Sequence, residues 1–385
     1  MRIVMYWHNG RSLGHTAEVA KITHAIEKDM PEDFLVGMTG AYKGLDMLSN
    51  KMDVVKLPGF ANFDKLSGWN YTGRQGMEPK ELFQCRTELM ECFMKNYEPD
   101  IFMVNHVPYG LYNELEPTLN LTKKGKRFLT LRGILFDREK TNREYFKGEV
   151  AKWIADKYDA LFVHIDPNIF SLEENYDIPT ELLDRIQYTG YLSCMSNMSV
   201  NEARDLLGVD QDKRIIVSSM GGGQGAIDIW TSILNGLKKN SEYYDEAYII
   251  TGPYLESEDF IKLKELEHEV KGVHVIRYVN NMQTWMSASD LFIGAAGSNM
   301  IGEVLATSCN AILIPRQVRE VEQHVHSKIL SDKGIIRMCE LQDVLEGKIN
   351  RVIYEGLTEP IKKKSGILMN GSDRYCGLLK KWYMK

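Results

Sequence analysis

Apolar residues in this chain fall into short runs, each followed by a polar, glycine-bearing turn and then by a stretch with apolar positions at helical spacing. Arg2 to Trp7 reads as a strand, 8–14 as a turn, and 16–28 as an amphipathic helix with Ala17, Ala20, Ile22 and Ile26 toward one side. Strand, glycine turn and helix in that order open a doubly wound α/β domain. The pattern predicts further strands at Phe34–Thr39, Ile101–Asn105, 128–131 and Ala160–Val163, with helices at 80–97 and 145–158.

A second alternating series begins after Tyr188-Thr189-Gly190. It predicts strands at 214–219, 247–251, 274–277, 291–294 and 311–314, separated by helix or loop. The expected organisation is a doubly wound Rossmann-like domain over 1–190, a second over 191–371, and a final helix, 372–385, packing back on the first. Residues 192–198 are the expected linker. Two such domains facing each other leave a cleft between the carboxyl ends of both sheets, where open α/β sheets bind ligands.

Composition narrows the class. At 385 residues, 44% hydrophobic and 26% charged, the chain can bury two cores without disulfides or metal. A net charge of −6 argues against nucleic acid as a partner. Six scattered cysteines without a CxxC pair fit thiols in a reducing compartment. The apolar start is too short for a secretion signal, and no run approaches the length of a membrane span, so the expected location is cytoplasmic.

Three stretches of the second half carry candidate chemistry. In Ser218-Ser219-Met220-Gly221-Gly222-Gly223-Gln224-Gly225-Ala226, the glycines permit close backbone approach, and the following helix turns free amides toward an anion such as a diphosphate. It lacks the Gly-Lys-Ser/Thr ending of a Walker loop. In Gly294-Ala295-Ala296-Gly297-Ser298-Asn299-Met300-Ile301-Gly302-Glu303, small residues end a strand and place Glu303 on a helix, where a carboxylate can hold a ribose diol. The third stretch, Ile314-Pro315-Arg316-Gln317 through Glu320, ends in Glu322, Gln323 and His324, of which Glu322 and Gln323 can bond sugar hydroxyls.

In this order and spacing, the three stretches resemble the C-terminal domain of MurG-type glycosyltransferases (family 28), over roughly residues 186–335. The first half resembles a narrower group, the bacterial predicted glycosyltransferases, through Gly14-His15-Thr16, Val55-Lys56-Leu57-Pro58-Gly59, Asn105-His106-Val107-Pro108-Tyr109-Gly110 and Tyr188-Thr189-Gly190-Tyr191. The resemblance implies a GT-B fold, with the acceptor on the first domain and a nucleotide-sugar, UDP-sugar favoured, on the second. Val279 would meet the base through its backbone, Glu303 the ribose, Gly221 to Gly225 the diphosphate, and Glu322 and Gln323 the sugar, with Gly297, Ser298 and Asn299 as further donor-binding residues. Two arginines of the MurG pattern are missing: Tyr191, Leu192, Ser193 and Cys194 follow the linker glycine, and Ala295 stands before the small-residue turn. Neutralisation of the phosphates must then come from elsewhere.

On the acceptor side His15 is the expected base, with His8 a weaker competitor, and Gly14, His106 and Arg132 as acceptor contacts; Asp137 and Arg138 line another strand-end loop. The implied reaction is direct displacement of the nucleoside diphosphate by an acceptor hydroxyl, metal-independent and inverting, with the nucleotide-sugar a co-substrate rather than a cofactor. The acceptor, lipid-linked, a polysaccharide end or a small metabolite, stays open. Residues 56–65 with Trp69 have the flavour of a peripheral membrane contact. Two alternatives remain: a UDP-sugar 2-epimerase using Glu114, Glu116 and Asp137, and a nucleotide-sugar-binding protein without catalysis.

Overall fold

Parallel strands joined through helices build both halves of the chain. The computed structural model describes residues 1–8, 13–60, 76–122, 124–193, 196, 198–316, 321–359, 361 and 366–384, and the backbone at 63–64 and 68–69. The chain divides into two compact units, Met1–Ser193 with Leu368–Lys385, and Cys194–Ile367.

The strands of the first unit are β1 (Arg2–Trp7), β2 (Phe34–Thr39), β3 (Met52–Lys56), β4 (Phe63–Asp64), β5 (Gly68–Trp69), β6 (Ile101–Asn105), β7 (Lys126–Leu131), β8 (Ala160–Val163) and β9 (Ile186–Tyr188). β4 and β5 pair antiparallel with each other. The other seven form one sheet in the order β3-β2-β1-β6-β7-β8-β9, all neighbours parallel. The order reverses between β1 and β6, and ligands of such sheets gather beyond the carboxyl ends at that reversal.

Both faces of this sheet are covered, so its central strands are continuous apolar runs; Ile3 to Trp7 are all buried. The Trp7 ring fills the space above β2: a Cβ on Gly37 would lie 2.7 Å from it. Helix Gly14–Asp29 packs Val19, Ile22 and Ile26 onto the sheet, and the last helix, Gly371–Tyr383, adds Tyr375, Cys376 and Leu379 to the same core. Lys380 Nζ donates to the Asp29 carbonyl, 3.3 Å away.

The expected helix 145–158 is two pieces. A π-turn, Asn142–Phe146, gives way to helix Gly148–Lys157, because Lys147 is extended and Gly148 takes a φ of 62°. That left-handed step interrupts the hydrogen-bond ladder and is open to glycine at little cost.

The second unit has β10 (Ile215–Ser219), β11 (Glu246–Ile250), β12 (Val273–Ile276), β13 (Leu291–Ala295), β14 (Asn310–Ile314) and β15 (Arg337–Met338). They form one parallel sheet in the order β12-β11-β10-β13-β14-β15, reversing between β10 and β13. Helix Ile227–Lys239 buries Trp230, Ile233 and Leu237 against Ile216, Ile293 and Ile312. Of the expected linker, Leu192 is packed into the first unit's core, and 194, 195 and 197 lie outside the described residues.

Candidate functional site

The glycine-rich turn follows β10 at the second unit's reversal point. Its glycines serve two purposes. Gly223 is dictated by packing: at φ 82°, a Cβ there would stand 1.9 Å from the Thr251 carbonyl oxygen. Gly222 is pressed against the Tyr254 ring, and its carbonyl accepts from the Tyr254 amide at 2.9 Å. Gly221 and Gly225, in contrast, are exposed. A Cβ on Gly221 would meet nothing within 4 Å, and one on Gly225 only Arg316 Nη2, at 4.0 Å. Gln224 between them is exposed, and helix Ile227–Lys239 begins two residues beyond Gly225.

On the neighbouring strand β13, Gly297 leads into helix Ser298–Leu305 without a side-chain cap, and a Cβ on Gly297 would meet open space. Ser298 and Asn299 are its first two residues, and Glu303, half-buried, is its sixth. Two helix amino ends thus stand side by side on adjacent strands, both turning unsatisfied amides and positive dipole ends toward the carboxyl edge of the sheet. Val279, half-buried, lies three residues past the end of β12 at that same edge.

The proline-led stretch extends from β14. Arg316 Nη2 donates to the Gln224 carbonyl at 2.8 Å, and the Arg316 amide donates to Gln323 Oε1 at 3.0 Å. The Gln323 carboxamide oxygen therefore fixes this segment, which leaves its NH2 group for other work. Glu322 is buried at the start of helix Glu322–Asp332. Residues 317–320 lie outside the described residues. The chain has an Asp-x-Asp, Asp210-Gln211-Asp212, but it precedes β10 and so sits at the opposite, amino edge of the sheet. There the Asp212 amide donates to Asp210 Oδ1 at 3.0 Å in a local turn.

In the first unit, His15 and His106 follow β1 and β6, the two strands at the reversal, and their rings are 5.4 Å apart. The His8 ring is 4.6 Å from that of His15. Gly14 and His15 open helix Gly14–Asp29; residues 9–12 lie outside the described residues. Asn105 orients His15. Asn105 Nδ2 donates to Glu18 Oε2 at 3.3 Å and to Thr130 Oγ1 at 3.2 Å, which turns its Oδ1 toward His15 Nδ1, 2.7 Å away. An amide oxygen only accepts, so the imidazole proton belongs on Nδ1 and the lone pair on Nε2.

Burial, with a nearby cation adding to it, keeps this imidazole neutral. Burial, then the Arg132 guanidinium, pull the His15 pKa down to about 4, against the opposing pull of Glu18 and the Asn105 hydrogen bond. Burial pushes the Glu18 carboxyl up, but Arg132, His15 and His164 together outweigh it and hold the group at about 2. Arg132 Nε donates to Glu18 Oε1 at 2.6 Å. Burial, with Arg132 and His15 adding to it, puts His106 well below its ordinary value. His106 also has a φ of 72°, an uncommon left-handed conformation for a non-glycine residue.

Several of the residues singled out in the sequence have structural partners. Glu114 is buried in an ion pair, accepting from Arg86 Nε at 2.6 Å and Arg86 Nη2 at 2.9 Å, with Tyr6 Oη also donating to it. It is not available to a sugar ring. Asp137 caps the Arg138–Thr141 helix through the Lys140 amide at 2.8 Å, and Arg138 pairs with Asp177. Arg132 pairs with Glu18, and its charge also bears directly on His15. In the 56–65 stretch, Phe60 is buried against Leu82 and Phe83, and Lys56 Nζ donates to the Leu57 carbonyl at 2.7 Å. Residues 61, 62 and 65, and the side chains of 63, 64 and Trp69, lie outside what is described. Among the described residues, Cys85, Cys92, Cys339 and Cys376 are free thiols, and Cys309 Sγ lies 3.1 Å from Thr307 Oγ1. No helix among the described residues is long and apolar enough to cross a membrane.

Residues 216–371 match the model of the glycosyltransferase family 28 C-terminal domain. The chain has a GT-B fold with a MurG-like second unit. Acinetobacter baumannii MurG superposes with a TM-score of 0.63 at 14% identity, covering 99% of each chain. The UDP-GlcNAc 2-epimerase of Neisseria meningitidis does so with a TM-score of 0.58 at 13% identity, covering 99% of this chain and 100% of that one. The chain is also similar to the UDP-N-acetylglucosamine–N-acetylmuramyl-(pentapeptide) pyrophosphoryl-undecaprenol N-acetylglucosamine transferase of Caldicellulosiruptor saccharolyticus. The two are 26% identical over 183 residues, 45% of this chain. This chain therefore spans about half, 48%, of that curated relative's length.

Sequence reading did not single out Asn105 for a role, nor Glu18 and Arg316. Asn105 stood inside a quoted motif, and Glu18 is one helical turn beyond His15. Their connection runs through strand order, which the linear sequence does not display.

Proposed function

We propose that the chain is a GT-B glycosyltransferase that moves a hexose or N-acetylhexosamine from a UDP-sugar to a hydroxyl acceptor. The observation that carries this reading is His15: a neutral imidazole whose Nδ1 is engaged by Asn105, presenting Nε2 as a base at the first unit's reversal point. Nucleotide-sugar epimerases share the fold, so the second unit alone would not separate the two activities. An epimerase needs acidic groups around the sugar ring, and Glu114 is consumed by Arg86.

In the proposed reaction, His15 Nε2 takes the acceptor's O–H proton as that oxygen attacks the anomeric carbon. The bond from that carbon to the diphosphate breaks, and the nucleoside diphosphate leaves with the electron pair. Developing charge on the leaving group meets helix amino ends and backbone amides rather than a metal. Backside attack of this kind inverts the anomeric centre. The pyrophosphoryl-undecaprenol acceptor in the name of the Caldicellulosiruptor relative supports a lipid-linked acceptor, and with it a place at the membrane surface; a polysaccharide end is the second candidate.

Calorimetric titration with UDP, TDP, GDP and ADP tests the donor half, repeated for the best ligand with Glu303→Ala. Micromolar binding of UDP that the variant loses is the expected result. Incubation with labelled UDP-sugars then separates transfer or slow hydrolysis from epimerisation, and binding without turnover would leave a non-catalytic protein.

A further inference from the structure

The MurG pattern places an arginine just before the small-residue turn after β13, where this chain has Ala295. A diphosphate on the glycine turn would then face no cation from that strand. One strand further along, Arg316 follows β14, and its guanidinium reaches past the ends of β13 to the turn after β10. The small residues Ala295, Ala296 and Gly297 leave that path open: around Gly297 even an added Cβ would meet nothing within 4 Å.

The reach ends in a defined place. Nη2 donates to the Gln224 carbonyl at 2.8 Å and lies 4.0 Å from where a Gly225 Cβ would be, on the side of the turn where Gly221 and Gly225 are exposed. The segment behind it is pinned by Gln323 Oε1 on the Arg316 amide. Among the described residues no carboxylate pairs with this guanidinium, and burial without a compensating charge lowers its pKa. A partly buried cation with one carbonyl partner keeps several N–H donors for an anion.

We propose that Arg316 is the donor-diphosphate-binding cation of this chain, standing in from β14 for the arginine that β13 lacks. The inference rests on the donor reading of the second unit and adds a residue to it. Guanidinium forks suit phosphate oxygens bidentately, where an ammonium supplies only a point charge.

The test is calorimetric titration of the full chain and its Arg316→Gln and Arg316→Lys variants with UDP and with uridine. Arg316→Gln is expected to weaken UDP about 10–100-fold, the range for a lost charged hydrogen bond, while uridine affinity stays within about twofold. Arg316→Lys should recover part of the loss. Unchanged uridine binding shows that the variant is folded and that the base and ribose contacts survive. Equal UDP affinity in Arg316→Gln and the unaltered protein overturns this inference alone, as does a parallel loss of uridine and UDP. Failure of the unaltered protein to bind UDP overturns the donor reading along with it.

Discussion

Asn105 holds His15 by a 2.7 Å contact between Oδ1 and Nδ1, and its own NH2 group is fixed by Glu18 and Thr130. The base thus has its tautomer set by a neutral amide, not by a carboxylate. A carboxylate in that place would stabilise the imidazolium; the amide does so less, and burial with the Arg132 charge keeps the imidazole unprotonated far into the acid range.

The pH profile of transfer should show this. With the His15 pKa lowered to about 4, the active neutral form is lost only as pH falls through that value, so the acid limb should lie near 4 instead of near the ordinary 6.5. Asn105→Asp should move the limb upward by favouring the charged imidazole. Asn105→Ala should cost about tenfold in kcat, the equivalent of one hydrogen bond, and His15→Ala about 10²–10⁴-fold. UDP affinity should be unaffected by all three.

Stability should also fall in acid. His15, His164 and His326 are each held by burial near a pKa of about 4, against 6.5 for a free histidine. Between those values the unfolded chain binds protons that the folded chain does not, so the stabilisation is complete above about 6.5 and declines as pH drops toward 4. Urea midpoints measured from about pH 7 down to about pH 5 should decrease.

Arg86→Met should destabilise the first unit by about 3–5 kcal/mol, because it strands the Glu114 carboxylate in the core. Arg86 and Glu114 are both fully buried. The double variant Arg86→Met with Glu114→Leu should recover most of that loss. Denaturant unfolding of the three proteins checks the difference.

Gly223→Ala should disturb the glycine turn from inside. The substitution puts a Cβ 1.9 Å from the Thr251 carbonyl at a φ of 82°, and left-handed strain alone costs about 1–3 kcal/mol. Gly221→Ala meets no atom and carries only the strain. Comparing their melting temperatures and UDP affinities separates glycine needed for packing from glycine needed for a ligand.

The fold was largely legible because a doubly wound sheet writes itself as apolar runs with turns between them. Phe34–Thr39, Ile101–Asn105 and Ala160–Val163 are strands at the ends the pattern predicts. The strands it left unmarked lie at sheet edges: β3 has half-exposed positions, β9 three residues and β15 two. The 145–158 break was hidden because Tyr145 and Phe146 have the burial of a continuous helix while Gly148 changes the backbone. At the site, single residues at strand ends could be named, but their partners could not. Glu114 read as a free acid because Arg86 lies 28 residues earlier on another helix. Arg316 stood in the proline-led stretch without a role of its own because its partner, Gln224, is 92 residues away.

The first unit takes its closing helix, with Tyr375, Cys376 and Leu379, from the far end of the chain. On the ribosome residues 1–193 of this unit precede the second unit and its closing helix follows it: until that helix emerges, the face of helix Gly14–Asp29 that it covers is bare. The second unit has all its strands before that point and can fold while the first still waits. A chain stopped anywhere before Leu368 would therefore release a folded second unit tethered to an uncapped, aggregation-prone first one.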